Sequence, residues 1–310
     1  MAGEVRAVID VGTNSVKLLV ADVEKGIIRP LHEGSHQTRL GQGFYQTKVL
    51  QSGAIDLTAK VVSDFVSDAQ AWKPTNIKVI ATSAARDAEN KEELISAIES
   101  ASGTRVTIIS GEQEADWAYR GVASDPKLAG GKLLVMDIGG GSTEFILGNG
   151  EHYCFAKSFS LGSVRLLEQM AISENPSEQE RIKCERILDE FITHHIYPQL
   201  APMISEVSGP IQLVGTGGTS TILARVYLKL RSFNREMIEG TFLSREILKS
   251  ETLRLWRTSL EERKKIIGLP PNRADVILPG ALIFDRVMQI FGLPSLRVST
   301  RGLRFAALID

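Results

Sequence analysis

An α/β protein of two domains is predicted by three features of the sequence. A strand, a glycine-containing loop opened by Asp and a second strand are written at Asp10-Val11-Gly12-Thr13-Asn14-Ser15 and again at Asp137-Ile138-Gly139-Gly140-Gly141-Ser142-Thr143-Glu144. Strand-like and helix-like segments alternate around the two copies, without low-complexity stretches or charged tails. The 310 residues, 43% hydrophobic and 24% charged, suit two domains of ordinary size, each able to bury a core.

The first copy follows the apolar run Val8-Ile9 and leads into a strand over Val16 to Val23 that turns near Lys25-Gly26. Ile55 to Trp72 carries apolar residues at helical spacing (Val61, Val62, Phe65, Val66, Ala69), and Pro74 stops it. Lys78 to Ala81 reads as a strand with Thr82 to Asp87 as its exit, Lys91 to Ser100 as a short helix, and Arg105 to Ile109 as a further strand. Ser110 opens a helix through Arg120, with Gln113 placed for a capping box. Turn formers cluster over residues 124–131 and set the boundary between a first domain, 1–124, and a second, 125–300. In the second domain Leu133 to Met136 and Phe145 to Leu147 flank the repeated loop, and Asn149-Gly150 suits positive φ at both central positions of a tight turn. Helices follow at about 177–192 and 245–256, and the strand Ile211 to Val214 runs into a third glycine loop, Gly215 to Ser220.

The repeated loop has a chemistry. Glycines let backbone approach a ligand closely, the turn aims consecutive amides at one point, and Ser or Thr hydroxyls add donors, which together cradle phosphate oxygens. Gly12, Thr13, Asn14 and Ser15 in one copy, and Gly139, Gly140, Gly141, Ser142 and Thr143 in the other, are therefore candidate phosphate contacts, with Gly217 and Gly218 of the third loop beside them. A carboxylate next to such a loop can hold Mg²⁺, which makes Asp10, Asp137 and Glu144 the candidate metal set. Glu114 falls in the first turn of its helix, with Ala118 and Gly121 leaving that face low and open toward a cleft. Arg86 follows a strand and a Thr-Ser pair, in a loop, as a guanidinium able to clamp phosphate.

Other features narrow the class. A net charge of −1 removes the broad basic surface that sequence-independent nucleic-acid binding needs, so affinity for a polyanion rests on local donors and metal. The start of the chain has no signal-peptide pattern, and no apolar run approaches the roughly 18 residues needed to span a bilayer. The expected location is cytoplasmic, without membrane association. Cys154 and Cys184 lack metal-type spacing and are expected as reduced thiols.

The motifs, taken together and in order, resemble those of the exopolyphosphatase and guanosine pentaphosphate phosphohydrolase (Ppx/GppA) family of the actin-like ATPase superfamily. The resemblance spans nearly the whole chain and rests on Ile9 to Ser15, Ala81 to Arg86, Ile109 to Ala115, the loop at 137–144, Gly215 to Thr219, and Gly268-Leu269-Pro270-Pro271 with Arg273 to Ile277 and Gly280. It implies two ribonuclease-H-like domains flanking a central cleft, in a short two-domain form, with a last helix (about 301–310) packing back on the first. It further implies Mg²⁺ as cofactor, Glu114 as the base that activates water, Arg86 on phosphate, and Asp137 and Glu144 on the metal.

The activity so implied is removal of terminal phosphate from inorganic polyphosphate, with guanosine pentaphosphate as the alternative substrate. The chain departs from the family pattern at Glu239-Gly240, where many members have His-Gly, and at Gly302-Leu303-Arg304-Phe305-Ala306, where they end in Gly-Leu-Arg-Glu-Gly. It also stops at residue 310, without the added helical region of long members, which implies a preference for shorter chains. Two other classes stay open: a superfamily kinase, against which stand Glu114 and the lack of an inserted acceptor domain, and a non-catalytic nucleotide sensor. Lys17, Arg165, Arg301 and Arg304 are weaker candidates for lining the substrate path. A homodimer is the expected assembly.

Overall fold

The computed structural model describes residues 3–128, 130–150 and 152–310, which divide into two units: one runs to Ser124 and takes in Gly302–Asp310, the other is Asp125–Arg301. Each is built on its own sheet.

In the first unit β1 (Glu4–Val11), β2 (Val16–Glu24) and β3 (Ile27–His36) form an antiparallel meander, and β4 (Asn76–Ala81) and β5 (Val106–Ile108) add parallel strands in the order β3-β2-β1-β4-β5. The apolar runs of β1 and β2 are near-continuous because both faces are covered. On one face Val8, Leu19 and Ile80 pack with Trp117 and the C-terminal residues Leu303, Phe305 and Leu308. The other carries α1 (Ser52–Gln70), whose Phe65 ring lies against Gly34, and α3 (Lys91–Ser102) follows the short helix α2 (Ser83–Asp87). The Ser63 hydroxyl donates to the Ala101 carbonyl at 2.8 Å and ties α1 to α3. α4 (Gly111–Ala123) begins as its cap predicts: the Ser110 hydroxyl accepts the Gln113 amide at 3.1 Å.

The second unit repeats this plan. β6 (Lys132–Ile138), β7 (Thr143–Asn149) and β8 (His152–Phe159) form the meander, and β9 (Gln212–Thr216) and β11 (Ser295–Val298) lie parallel to β6. β10 (Phe242–Ser244) is added antiparallel at the edge, giving the order β10-β11-β9-β6-β7-β8. Its core is the larger, and α10 (Ile277–Ile290) is apolar on nearly every side because it runs through the middle of that core. Around it stand α5 (Ser163–Gln169), α6 (Glu178–Phe191), α7 (Tyr197–Glu206), α8 (Gly217–Tyr227) and α9 (Arg245–Arg257), and Leu303–Ala307, back in the first unit, is α11. Arg263, 1% exposed, binds backbone carbonyls of Ala274, Thr258 and Glu174 and so fastens three loops of this unit together.

Two local expectations are corrected. The first hairpin turn has positive φ at both Lys25 (50°) and Gly26 (80°), but in the second the positive φ (61°) falls on Gly150 while Asn149 stays in β7; residue 151, like residue 129 of the 124–131 boundary, lies outside the described residues. The third glycine segment is not a loop between strands: Gly217 and Gly218 are the first turn of α8, directly after β9. A parallel strand must be followed by a crossover, so the chain turns into a helix there instead of folding back.

Candidate active site

The candidate residues of the first unit collect at the carboxyl ends of β1, β4 and β5, where ligands bind in open α/β sheets. Asp10 is the last residue but one of β1, and its loop closes with the Gly12 amide donating to the Ser15 carbonyl at 3.1 Å. The segment after β3 then braces this loop, with the amides of Arg39 and Gly41 donating to the carbonyls of Asn14 (3.1 Å) and Thr13 (2.7 Å). A Cβ on Gly41 would lie 2.3 Å from the Thr13 methyl group, so only glycine permits that approach.

The second loop is built the same way. The Gly139 amide donates to the Ser142 carbonyl at 2.9 Å. The segment after β8 braces it: the amides of Ser163, Val164 and Arg165 donate to the carbonyls of Gly139 and Gly140, and Arg165 Nε donates to that of Gly141 at 2.7 Å. The close approach again needs a glycine, Gly162, whose Cβ would meet the Gly140 oxygen at 2.4 Å. In both loops the carbonyls are consumed by the brace. Among the described residues the amides of Thr13 and Asn14, and those of Gly140, Gly141 and Ser142, meet no acceptor. Backbone amides of a turn left without acceptors form an anion-binding concavity.

Neither brace was legible in the sequence, although Gly41 and Gly162 each follow a strand return in matching positions. Arg165 and Arg304, weaker candidates for lining a substrate path, each donate to backbone, Arg304 to the Leu18 carbonyl at 2.7 Å. The Thr143 hydroxyl donates to the Leu161 carbonyl, within the same unit.

The carboxylates divide between the units. Asp10, 4% exposed, has a buried Oδ1 with no hydrogen-bond partner; burial raises its pKa, and the charges of Lys17 and Arg304 oppose that rise. Asn14 Nδ2 and Ser83 Oγ, both near it in the chain of β1 and β4 ends, are likewise buried and unpartnered. In the second unit Asp137 and Glu144 are cross-strand partners of β6 and β7, so their side chains stand side by side on one face of the sheet. Glu144, 1% exposed, accepts the Ser158 hydroxyl at 2.7 Å. The start of α8 closes on Asp137: Gly217 has φ 85°, and a Cβ there would sit 2.2 Å from Asp137 Oδ1. Of the three carboxylates expected to hold metal, Asp10 belongs to the sheet of the first unit and Asp137 and Glu144 to that of the second. Among the described residues no three carboxylate, imidazole or thiol groups gather at one point. The pair fits Mg²⁺, a hard cation that proteins hold through one or two carboxylates while water and phosphate supply the rest.

Glu114 and Arg86 meet. Arg86 lies in helix α2, not in an open loop, and its Nη1 donates to Glu114 Oε2 at 3.1 Å and to the Ile109 carbonyl at 3.0 Å. Glu114 is 7% exposed. The face of α4 below it is not open either: Gly121 packs on the backbone of Gly302, whose oxygen would be 2.1 Å from a Cβ at 121. The small residues serve close packing of the C-terminal segment rather than a cleft.

Cys154 and Cys184 are both free, and burial pushes the Cys184 thiol up to about 12. No helix among the described residues is long and apolar enough to cross a membrane. At Glu239, the departure from the family's His, the carboxylate accepts the Thr300 amide at 2.7 Å.

Two sheets of the same strand plan, each led by an Asp-opened phosphate-type turn, define an actin-like α/β protein. Residues 19–310 match the Ppx/GppA phosphatase family, and the chain belongs to that family. It is 32% identical over 297 residues to exopolyphosphatase 2 of Mycobacterium tuberculosis, covering 91% of this chain and 89% of that protein. It is 31% identical over 317 residues to a bifunctional 3-dehydroquinate synthase/phosphatase of Fusobacterium nucleatum, covering 98% of this chain but only 46% of that longer relative. Among solved structures it is similar to the Aquifex aeolicus Ppx/GppA enzyme, at TM-score 0.78 and 31% identity over 99% of both chains.

Proposed function

We propose that this family phosphatase is an exopolyphosphatase, which hydrolyses the terminal phosphoanhydride of inorganic polyphosphate with Mg²⁺ and a water oriented by Glu114. The observation that carries the reading is the pair of braced loops, whose carbonyls are tied back while their amides are left for an anion.

The chemistry is positioning and charge neutralisation. The amides of Thr13 and Asn14 and those of Gly140, Gly141 and Ser142 bind phosphate oxygens, with Asn14 Nδ2 and Ser83 Oγ as further donors. Asp137 and Glu144 would hold Mg²⁺, which supplies positive charge for the phosphate oxygens. Glu114 accepts a hydrogen bond from the attacking water and takes its proton as the P–O–P bridge breaks; one water is consumed and two phosphate ends are produced. Arg86 fixes the orientation of the Glu114 carboxylate, and a loose phosphoryl-transfer transition state asks that the nucleophile be oriented more than deprotonated.

The test is phosphate release with Mg²⁺ from short polyphosphate, long polyphosphate, guanosine pentaphosphate and ATP, beside Glu114→Gln. Release from polyphosphate, reduced about 10²–10⁴-fold in Glu114→Gln, supports the reading. Preference for guanosine pentaphosphate moves the assignment to the family's other substrate. No release from any substrate returns the chain to the kinase or sensor class.

A further inference from the structure

The two loops are the same structure with one charge reversed. Reading across the first sheet in register, Ile80, Asp10, Lys17 and Ser35 stand in a row on β4, β1, β2 and β3. Across the second, Thr216, Asp137, Glu144 and Ser158 stand in the same row on β9, β6, β7 and β8. The aspartates correspond and the outer serines correspond, but Lys17 stands where the second unit has Glu144.

Residues directly opposite in an antiparallel pair have Cβ atoms about 4.5–5.5 Å apart, so opposite charges there attract and like charges repel. Asp137 beside Glu144 sets two carboxylates side by side, an arrangement that a divalent cation between them favours. Asp10 beside Lys17 carries its own counter-charge. Asp10 is as buried as a ligand would be and keeps one oxygen without a hydrogen-bond partner, so geometry alone does not keep an ion away from it.

We propose that Lys17 is a built-in cation that takes, in the first unit, the place a divalent ion takes in the second, so that the chain binds a single divalent ion, at Asp137 and Glu144, and none at Asp10. The inference rests on the proposed function for the Mg²⁺ site of the second unit and adds a role for Lys17. Its ammonium group is a fixed positive charge beside the first phosphate loop, independent of metal supply. Glu at this position would turn the first loop into a copy of the second.

The experiment counts ions. Isothermal titration of the full chain with Mn²⁺ as probe is run on the wild type, Asp10→Asn, Glu144→Gln and Lys17→Glu, with circular dichroism to establish folding. Expected are one ion in the wild type, one in Asp10→Asn, loss of tight binding in Glu144→Gln, and a gain of one ion in Lys17→Glu. Two ions in the wild type with one lost in Asp10→Asn overturns the proposal, as does a folded Lys17→Glu that still binds one. Should Lys17→Glu not fold, the isosteric Asp10→Asn decides, since any loss of an ion there refutes it. A wild type that binds no ion removes the Mg²⁺ site of the proposed function as well, whereas failure at Lys17→Glu alone leaves that site standing.

Discussion

Replacing Gly121 with Ala tests the contact that joins the C-terminal segment to α4. A Cβ at this position would lie 2.1 Å from the Gly302 oxygen, 2.6 Å from its carbonyl carbon and 3.1 Å from its Cα. These are backbone atoms, which cannot rotate away, so the segment must move by about 1 Å or detach. Detachment would expose Leu303, Phe305 and Leu308, each now at 8% exposure or less, at about 1.5–3 kcal/mol per side chain. It would also break the bonds from Arg6 to the Leu308 carbonyl (2.9 Å) and from Lys78 to the Ala307 carbonyl (3.0 Å). A shift with strain costs less, about 1–3 kcal/mol, and is the expected response. The comparison is Gly53→Ala in α1, where a Cβ meets nothing within 4 Å; that change is expected to stabilise by about 0.5–1 kcal/mol. Urea unfolding gives the sign and size, and peptide-resolved hydrogen exchange at 111–123 and 303–308 gives the place. If Gly121→Ala unfolds at the wild-type midpoint with unchanged exchange in both peptides, the packing account is wrong.

Removing Arg86 with Ala takes a charged donor from a Glu114 side chain that is only 10% exposed, so stability is expected to fall by about 1–3 kcal/mol and turnover with it; unchanged turnover would remove Arg86 from the site. Gly217→Ala drives a Cβ against Asp137 Oδ1 at a φ of 85°. It is expected to weaken Mn²⁺ binding at least tenfold, and an unaltered titration would contradict the placement of α8. Arg263→Met leaves the carbonyls of Ala274, Thr258 and Glu174 without their common donor and is expected to cost several kcal/mol, about 1–3 for each orphaned acceptor, read as a lower urea midpoint. In the capping box of α6, hydrogen bonds from the Ser177 and Ser173 amides hold the Glu180 carboxyl down to about 2. A depressed carboxylate stabilises above its unfolded pKa, about 4.3, and loses that contribution as pH falls toward 2. The midpoint gap between wild type and Glu180→Ala is therefore expected to narrow over this window, and a gap constant with pH would refute the assignment.

Much of the site was legible because its carriers are local. An Asp at the end of an apolar run, followed by glycine and a hydroxyl residue, turns back wherever it occurs, and Ser110 caps α4 through a bond three residues away. The duplication was equally open to view, since it repeats in linear order. The orientation of Arg86 was not, because its partners, Glu114 and the Ile109 carbonyl, approach only when β4 and β5 pair. The small face of α4 was misread for the same reason: low side chains look alike whether they border solvent or receive a backbone.

What the sequence determined by itself is the pair of strand-turn-strand units, their phosphate-type loops and the family to which the chain belongs, all set by residue type and spacing over a few positions. Tertiary structure alone decided which loop carbonyls are tied back by Gly41 and Gly162, and so which amides remain. It also decided that the start of α8 closes on Asp137 and that Gly121 receives Gly302. These depend on approach between segments far apart in the chain, where burial of a shared core fixes the distance and no local pattern reports it.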